Sequence, residues 1–165
     1  MGTNPSQFKC ADLPVHSVSW VDCQEFCRKA GLKLPTEAQW EYACRAETTG
    51  PHGGTGKLED MAWLDENSQG KAHPVGQKQP NGFGLHDMQG NVWEWCEDVS
   101  KEIFFSTLPA AGVDPVRSSG SEFRVARGGS WVDVASDCRS SNRAGTYPFI
   151  RSSRNGFRAA FWPLP

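Results

Sequence analysis

No apolar run in this 165-residue chain approaches the roughly 20 residues that a membrane-spanning helix needs. A charge of one sign is missing too. Seventeen Lys and Arg stand against nineteen Asp and Glu, a net charge of −2 at a pI of about 6.1, so no field draws the chain to nucleic acid or to an anionic membrane surface. The opening "MGTNPSQFKC" has neither the basic stretch nor the apolar core of a signal peptide. Histidine is scarce, and His16, His52, His73 and His86 show no metal-ligand spacing. Gly53-Gly54-Thr55-Gly56-Lys57 lacks the Walker spacing and a following apolar helix, which makes it a loop and not a phosphate cradle. From Val132 to Pro165 there is no Lys, Glu, Gln or Met.

What the chain does have is 17 Gly, 11 Pro and 7 Trp with 38% hydrophobic residues, the profile of one loop-rich domain with a core of a few large aromatics. Cys10, Cys23, Cys27, Cys44, Cys96 and Cys138 allow fifteen pairings, yet their spacing matches neither a zinc module nor a dense disulfide scaffold. Cys23 and Cys27 lie four apart on one helical face, a poor geometry for a disulfide and a good one for a buried stripe.

The first helix is predicted within "HSVSWVDCQEFCRKAG". Ser19 caps it, Trp20, Cys23, Phe26 and Cys27 form its apolar face, and Gly31 stops it. A second follows in "LPTEAQWEYACRAE", where Thr36 and Gln39 have the spacing of a capping box. Residues 48–61 and 106–121 read as loops. Turns are expected at Asn81-Gly82 and Gly90-Asn91, with short strands at Val92–Trp95, in "EFRVARGGSW" and in "GFRAAFW". The whole is an α+β domain: two helices, a small antiparallel sheet and many long ordered loops.

Taken together, "NPSQFK", "LPVHSVSWVDCQEFC", "LKLPTEAQWEYACRA", "NGFGLHDMQGNVWEWCEDV", "RVARGGSW", "CRSSNR" and "NGFR" resemble the sulfatase-modifying-factor family, that of the formylglycine-generating enzymes. The resemblance runs in order along nearly the whole chain. It implies that residues 1–165 form a single domain with that family's variant of the C-type lectin fold, lacking the most N-terminal strands usual in the family.

The active enzymes of the family resemble a copper oxidase, in which two cysteines five apart after "RGGS" hold Cu(I) as thiolates. Here the second position is Cys138 and the first is Asp133. A carboxylate is a hard oxygen donor and does not replace a thiolate for a soft monovalent ion, so no copper is expected. An oxidoreductase with an atypical site is the alternative. In vertebrate-type members, the positions matching Cys27 and Cys44 form disulfides. The corresponding partner positions here are Ala159 and about Arg143, which implies reduced thiols. Reduced thiols lean towards the cytoplasm, while surface display would require a leader or anchor, so the compartment stays open. The family's "N-x-x-G-N-x-W-E" segment holds calcium. The resemblance therefore offers Asp87 and Glu94 carboxylates with Gly90 and Val92 carbonyls as calcium ligands, against the plainer reading of a tight turn.

The chain also resembles a second group on this fold, the variable proteins of diversity-generating retroelements. Their randomised AAC codons become any codon ending in C, which never encodes Lys, Glu, Gln, Met or Trp. Between the fixed-looking "GGSW", "CRSSNR" and "NGFR" lie Val132, Asp133, Val134, Ser136, Asp137, Ala144, Gly145, Thr146, Tyr147, Phe149, Ile150, Arg151, Ser152, Ser153 and Arg154, all within the permitted set. Either Arg151 or Arg154 is open to being constant. The resemblance implies a non-catalytic module that shows these fifteen residues to a protein or cell-surface ligand.

Overall fold

The computed structural model describes residues 4–54, 56–100, 116, 118 and 121–161. Three helices, α1 (Trp20–Ala30), α2 (Glu37–Arg45) and α3 (Leu58–Met61), precede four strands, β1 (Trp93–Ser100), β2 (Phe123–Arg127), β3 (Arg143–Thr146) and β4 (Asn155–Phe157). The order across the sheet is β3-β2-β1-β4.

Both long helices begin where side chains satisfy the free amides of a first turn. The Asp22 amide donates to Ser19 Oγ at 3.1 Å, and the Ser19 amide donates to Asp22 Oδ2 at 2.8 Å. Thr36 and Gln39 make the same reciprocal pair at 3.2 and 3.0 Å. Gly31, at φ 69°, ends α1 in the left-handed conformation that costs glycine little.

Alternation along the strands puts apolar groups on both faces of the sheet. Trp95 and Ala126 pack with Cys23, Cys27, Val18 and Leu34, so α1 covers one face. Cys96 and Val125, their neighbours in sequence, pack with Trp40, Cys44 and Met88, so α2 covers the other. Burying Trp40 and Trp95 almost completely contributes roughly 2–3 kcal/mol each through apolar surface alone. Charge is buried as well. Arg127 Nε lies 3.4 Å from Glu37 Oε1, and its guanidinium also pairs with Glu41; Arg143 pairs with Glu37. Arg127 sits 5.3 Å from the Trp40 ring centroid and donates to the Ser140 carbonyl at 2.8 Å and to that of Asn142. This network joins α2 to β2, to β3 and to the segment between them.

The structure departs from the expected layout in three places. The sheet is mixed, because β4 runs parallel to β1 through Trp93↔Asn155, Glu94↔Gly156 and Trp95↔Phe157. The span read as loop over 48–61 contains the single turn α3, with no side-chain cap. The stretch read only as display surface supplies a strand: β3 pairs antiparallel with β2 from Arg124↔Thr146 to Arg127↔Arg143. Most of the 106–121 loop expectation lies outside the described residues, as does the end of "GFRAAFW". Among the described residues no helix is long and apolar enough to cross a membrane.

Candidate functional site

After β2 the chain turns at Gly128 and Gly129, with φ of 100° and 78°. A Cβ on Gly129 would lie 2.5 Å from Cys138 Sγ, so only glycine lets the turn approach that thiol. From Trp131 onward, groups outside the candidate positions hold the main chain. The Asp65 amide donates to the Asp133 carbonyl at 3.1 Å, and Asn142 Nδ2 donates to that of Asp137 at 2.7 Å. Ser17, Val21 and Trp93 amides donate to the carbonyls of Ser152, Pro148 and Arg154 at 3.0, 3.3 and 2.7 Å. The Trp131 indole donates to the Ser153 carbonyl at 3.4 Å. Bonds to carbonyls do not depend on which side chain the residue carries.

The side chains follow an inverse pattern. Val132, Val134, Ser136, Tyr147, Phe149, Ile150, Arg151 and Arg154 are exposed. Asp133, Asp137, Ala144, Gly145, Thr146, Ser152 and Ser153 are half-buried, and none of the fifteen is buried. The interleaved Cys138, Ser140, Asn142, Arg143 and Asn155 are buried. Two of the fifteen also tie the fold together. Asp133 Oδ2 accepts from the Trp93 indole at 2.8 Å and from the Ser130 hydroxyl. Arg151 grips Asp22 through Nε and a terminal nitrogen at 2.8 and 2.6 Å. That pair, with Ser19, holds the Asp22 carboxyl down at about 2.

Cys138 is fully buried against Ala62 and Leu64, a cluster that contains no second cysteine. Burial, with Asp133 and Asp137 adding repulsion, pushes its thiol up to about 12. All six cysteines are free.

The family profile of the sulfatase-modifying factor enzyme 1-like domain matches residues 1–161. The chain belongs to this family. The formylglycine-generating enzyme of Streptomyces coelicolor is 35% identical over 173 residues, covering 89% of this chain and 52% of that protein. The mouse protein called inactive C-alpha-formylglycine-generating enzyme 2 is 34% identical over 168 residues, covering 90% of this chain and 49% of its own. The chain thus spans about half the length of the curated relatives it matches. Among solved structures, Treponema denticola variable protein 1 superposes with a TM-score of 0.82 at 28% identity, over 96% of this chain and 77% of that one. Sequence and shape together therefore give a sulfatase-modifying-factor domain with the C-type lectin-like fold.

Within this family member, the turn offered for calcium lies beside a cavity of about 430 Å³, whose lining includes Asp87, Asn91, Val92, Glu94 and Arg158. Gly90, at φ 71°, is held against the Trp63 carbonyl, leaving no room for a side chain. Asp87 Oδ2 accepts from the Gly76 amide at 2.7 Å, while its Oδ1 is buried without a partner. Burial raises the Asp87 carboxyl, so a cation at Oδ1 would offset a real cost. Glu94 is already engaged. Its oxygens accept from Arg158 at 2.9 and 3.0 Å and from the Trp40 indole at 2.7 Å. Asp87 thus fits an oxygen-ligated ion, and Glu94 fits one only in competition with Arg158. Among the described residues no group of three or more His, Cys, Asp or Glu is placed to hold a metal.

Several of these partnerships were not anticipated from the sequence. The Glu37–Arg127–Arg143 network has no counterpart in the sequence reading, and in the Trp40–Glu94–Arg158 contact only Glu94 has a role there, as a candidate calcium ligand. The one local signal was a Glu immediately after the Thr36 cap, which reads equally well as a solvated first-turn acid.

Proposed function

We propose that the domain is a non-catalytic ligand-binding module displaying residues 132–137 and 144–154 as one contact face. The observation that carries this is the division of labour along the segment: carbonyls are held from outside, while eight of the fifteen residues are exposed and none is buried. Side chains so placed can vary without disturbing the backbone, the arrangement used by antibody loops. The ligand class is a protein or cell-surface component, met by Tyr147, Phe149 and Ile150 amid Ser and Arg. The likeness to Treponema denticola variable protein 1 supports the same reading.

The relatives named as formylglycine-generating enzymes favour a copper-dependent oxidoreductase as the second reading. The pair of soft ligands that such chemistry needs is replaced here by Asp133 and a buried, protonated Cys138. The test is Cu(I) titration of the purified protein, with oxygen uptake measured in the presence of a thiol peptide. No stoichiometric copper and no uptake are expected; tight copper with oxygen consumption overturns the display reading. Codons ending in C at the fifteen positions, beside an adenine-rich repeat and a reverse transcriptase gene, would establish diversification independently.

A further inference from the structure

His16 joins the N-terminal segment to the end of the contact face, and it is fully buried. Its main chain is clamped by one hydroxyl: Ser6 Oγ accepts from the His16 amide at 2.9 Å and donates to the His16 carbonyl at 3.2 Å. An antiparallel bridge ties it to Gly156 of β4. The next amide, that of Ser17, donates to the Ser152 carbonyl at 3.0 Å. An ionisable ring therefore sits where the last limb of the face is fastened to the rest of the domain.

The partners of the ring fix its protonation state. The Phe8 amide donates to Nε2 at 3.2 Å, so Nε2 presents a lone pair. The ring hydrogen then sits on Nδ1 and is donated to Ser17 Oγ at 3.1 Å. A second proton, on Nε2, would face the Phe8 N–H and set two donors against each other. It would also place a charge where nothing balances it. Ser6, Phe8, Ser17 and Gly156 are the groups that touch His16, and none of them ionises. Burial holds the imidazole below its ordinary value of 6.5, with no charged side chain contributing. The Phe8 ring lies edge-on to His16 at 5.5 Å and to Trp131 at 6.4 Å, and the Trp131 indole donates to the Ser153 carbonyl at 3.4 Å. Displacing Phe8 thus reaches the same limb by a second route.

We infer that His16 is a positioning residue that holds residues 152–154 of the contact face while neutral and frees them when protonated, so that acid loosens the face. The use of that face rests on the display reading, whereas the switch rests on the contacts of His16 alone. The enclosed ring stays neutral, while a ring exposed by local opening titrates at its ordinary value. The closed limb is therefore favoured in full above about pH 6.5 and loses ground as pH falls below it. At pH 5.5 an exposed imidazole is protonated about ten to one, so opening should be about tenfold more frequent than at pH 7.5.

The test is amide hydrogen exchange followed by NMR at pH 7.5 and 5.5, corrected for the intrinsic pH dependence of exchange. Two amides are compared: Ser17, bonded to the Ser152 carbonyl, and Ala46, bonded to the Tyr42 carbonyl at the end of α2. Opening at Ser17 should rise about tenfold in acid while Ala46 stays unchanged. In His16→Gln, which keeps an acceptor oxygen and takes up no proton, the rise at Ser17 should vanish. No rise at Ser17, or the same rise in His16→Gln, overturns the switch. An equal rise at Ala46 shows that acid weakens the whole fold and overturns the assignment to this limb. Should His16→Gln fail to fold, the imidazole nitrogen shifts of the unsubstituted protein decide. Nε2 is expected to stay unprotonated from pH 7.5 to 5.5, and a proton on Nε2 at pH 7.5 overturns the inference. Each of these failures leaves the display reading, tested by copper titration, standing.

Discussion

The indole Nε1–H of Trp93 donates to Oδ2 of Asp133 at 2.8 Å, binding the start of β1 to the position where the family resemblance places the first copper-binding cysteine. The carboxylate there has a structural role, accepting from the indole and from the Ser130 hydroxyl. Asp133→Ala should lower unfolding free energy by about 1–2 kcal/mol in urea titration, because it strips a partner from a half-buried indole and from the Ser130 hydroxyl. Asp133→Asn should lose less than half of that. No loss in Asp133→Ala would show that the bond carries nothing.

The Asp22–Arg151 pair predicts a pH dependence. The carboxyl is depressed in the folded state, to about 2 against an ordinary value near 4. Its contribution is therefore complete above about pH 4 and is lost as pH falls from 4 towards 2. The pair is solvent-exposed, so the contribution stays below about 1 kcal/mol. Asp22→Asn should flatten the stability profile in that window and leave stability at higher pH only slightly changed. An unchanged profile contradicts the pairing.

Thiol chemistry offers a sharp count. Cys10 is exposed and the other five cysteines are buried. With its thiol up at about 12, Cys138 is thiolate only to roughly one part in ten thousand at pH 8. Ellman's reagent should find one fast thiol in the native protein and six in denaturant. Labelling of native Cys138, read by mass spectrometry, would contradict the burial described.

Calcium is the proposal for the Asp87 turn. Millimolar Ca²⁺ should raise the melting temperature by about 2–4 °C, and Asp87→Asn should abolish the rise while leaving the response to Mg²⁺ unchanged. No rise in the unsubstituted protein would mean that Glu94 stays with Arg158 and the turn holds no ion.

The legible parts of the fold were the local ones. Ser19, Thr36, Gln39 and Gly31 act within a turn of themselves, and the structure caps α1 and α2 with them. The β3 strand was hidden because Arg, Ala, Gly and Thr show no apolar alternation, and its partner lies across a long separation in sequence. The direction of β4 is set by a connection spanning tens of residues, which a three-residue strand cannot encode. The buried pairing of Glu37, Arg127 and Arg143 was not legible because its compensation is entirely tertiary. In the candidate face, the second role of Asp133 and Arg151 was not legible, because it depends on Trp93 and Asp22 arriving from elsewhere.

The central claim is that, Asp133 and Arg151 apart, the fold does not need the side chains it exposes on this face. A library randomised together at Val132, Val134, Ser136, Tyr147, Phe149, Ile150 and Arg154, scored by protease resistance, tests it most directly. Most members should remain folded, within about 1 kcal/mol of the parent, while a matched library at Cys138, Ser140, Asn142 and Arg143 should collapse. Equal collapse of both libraries would contradict the account.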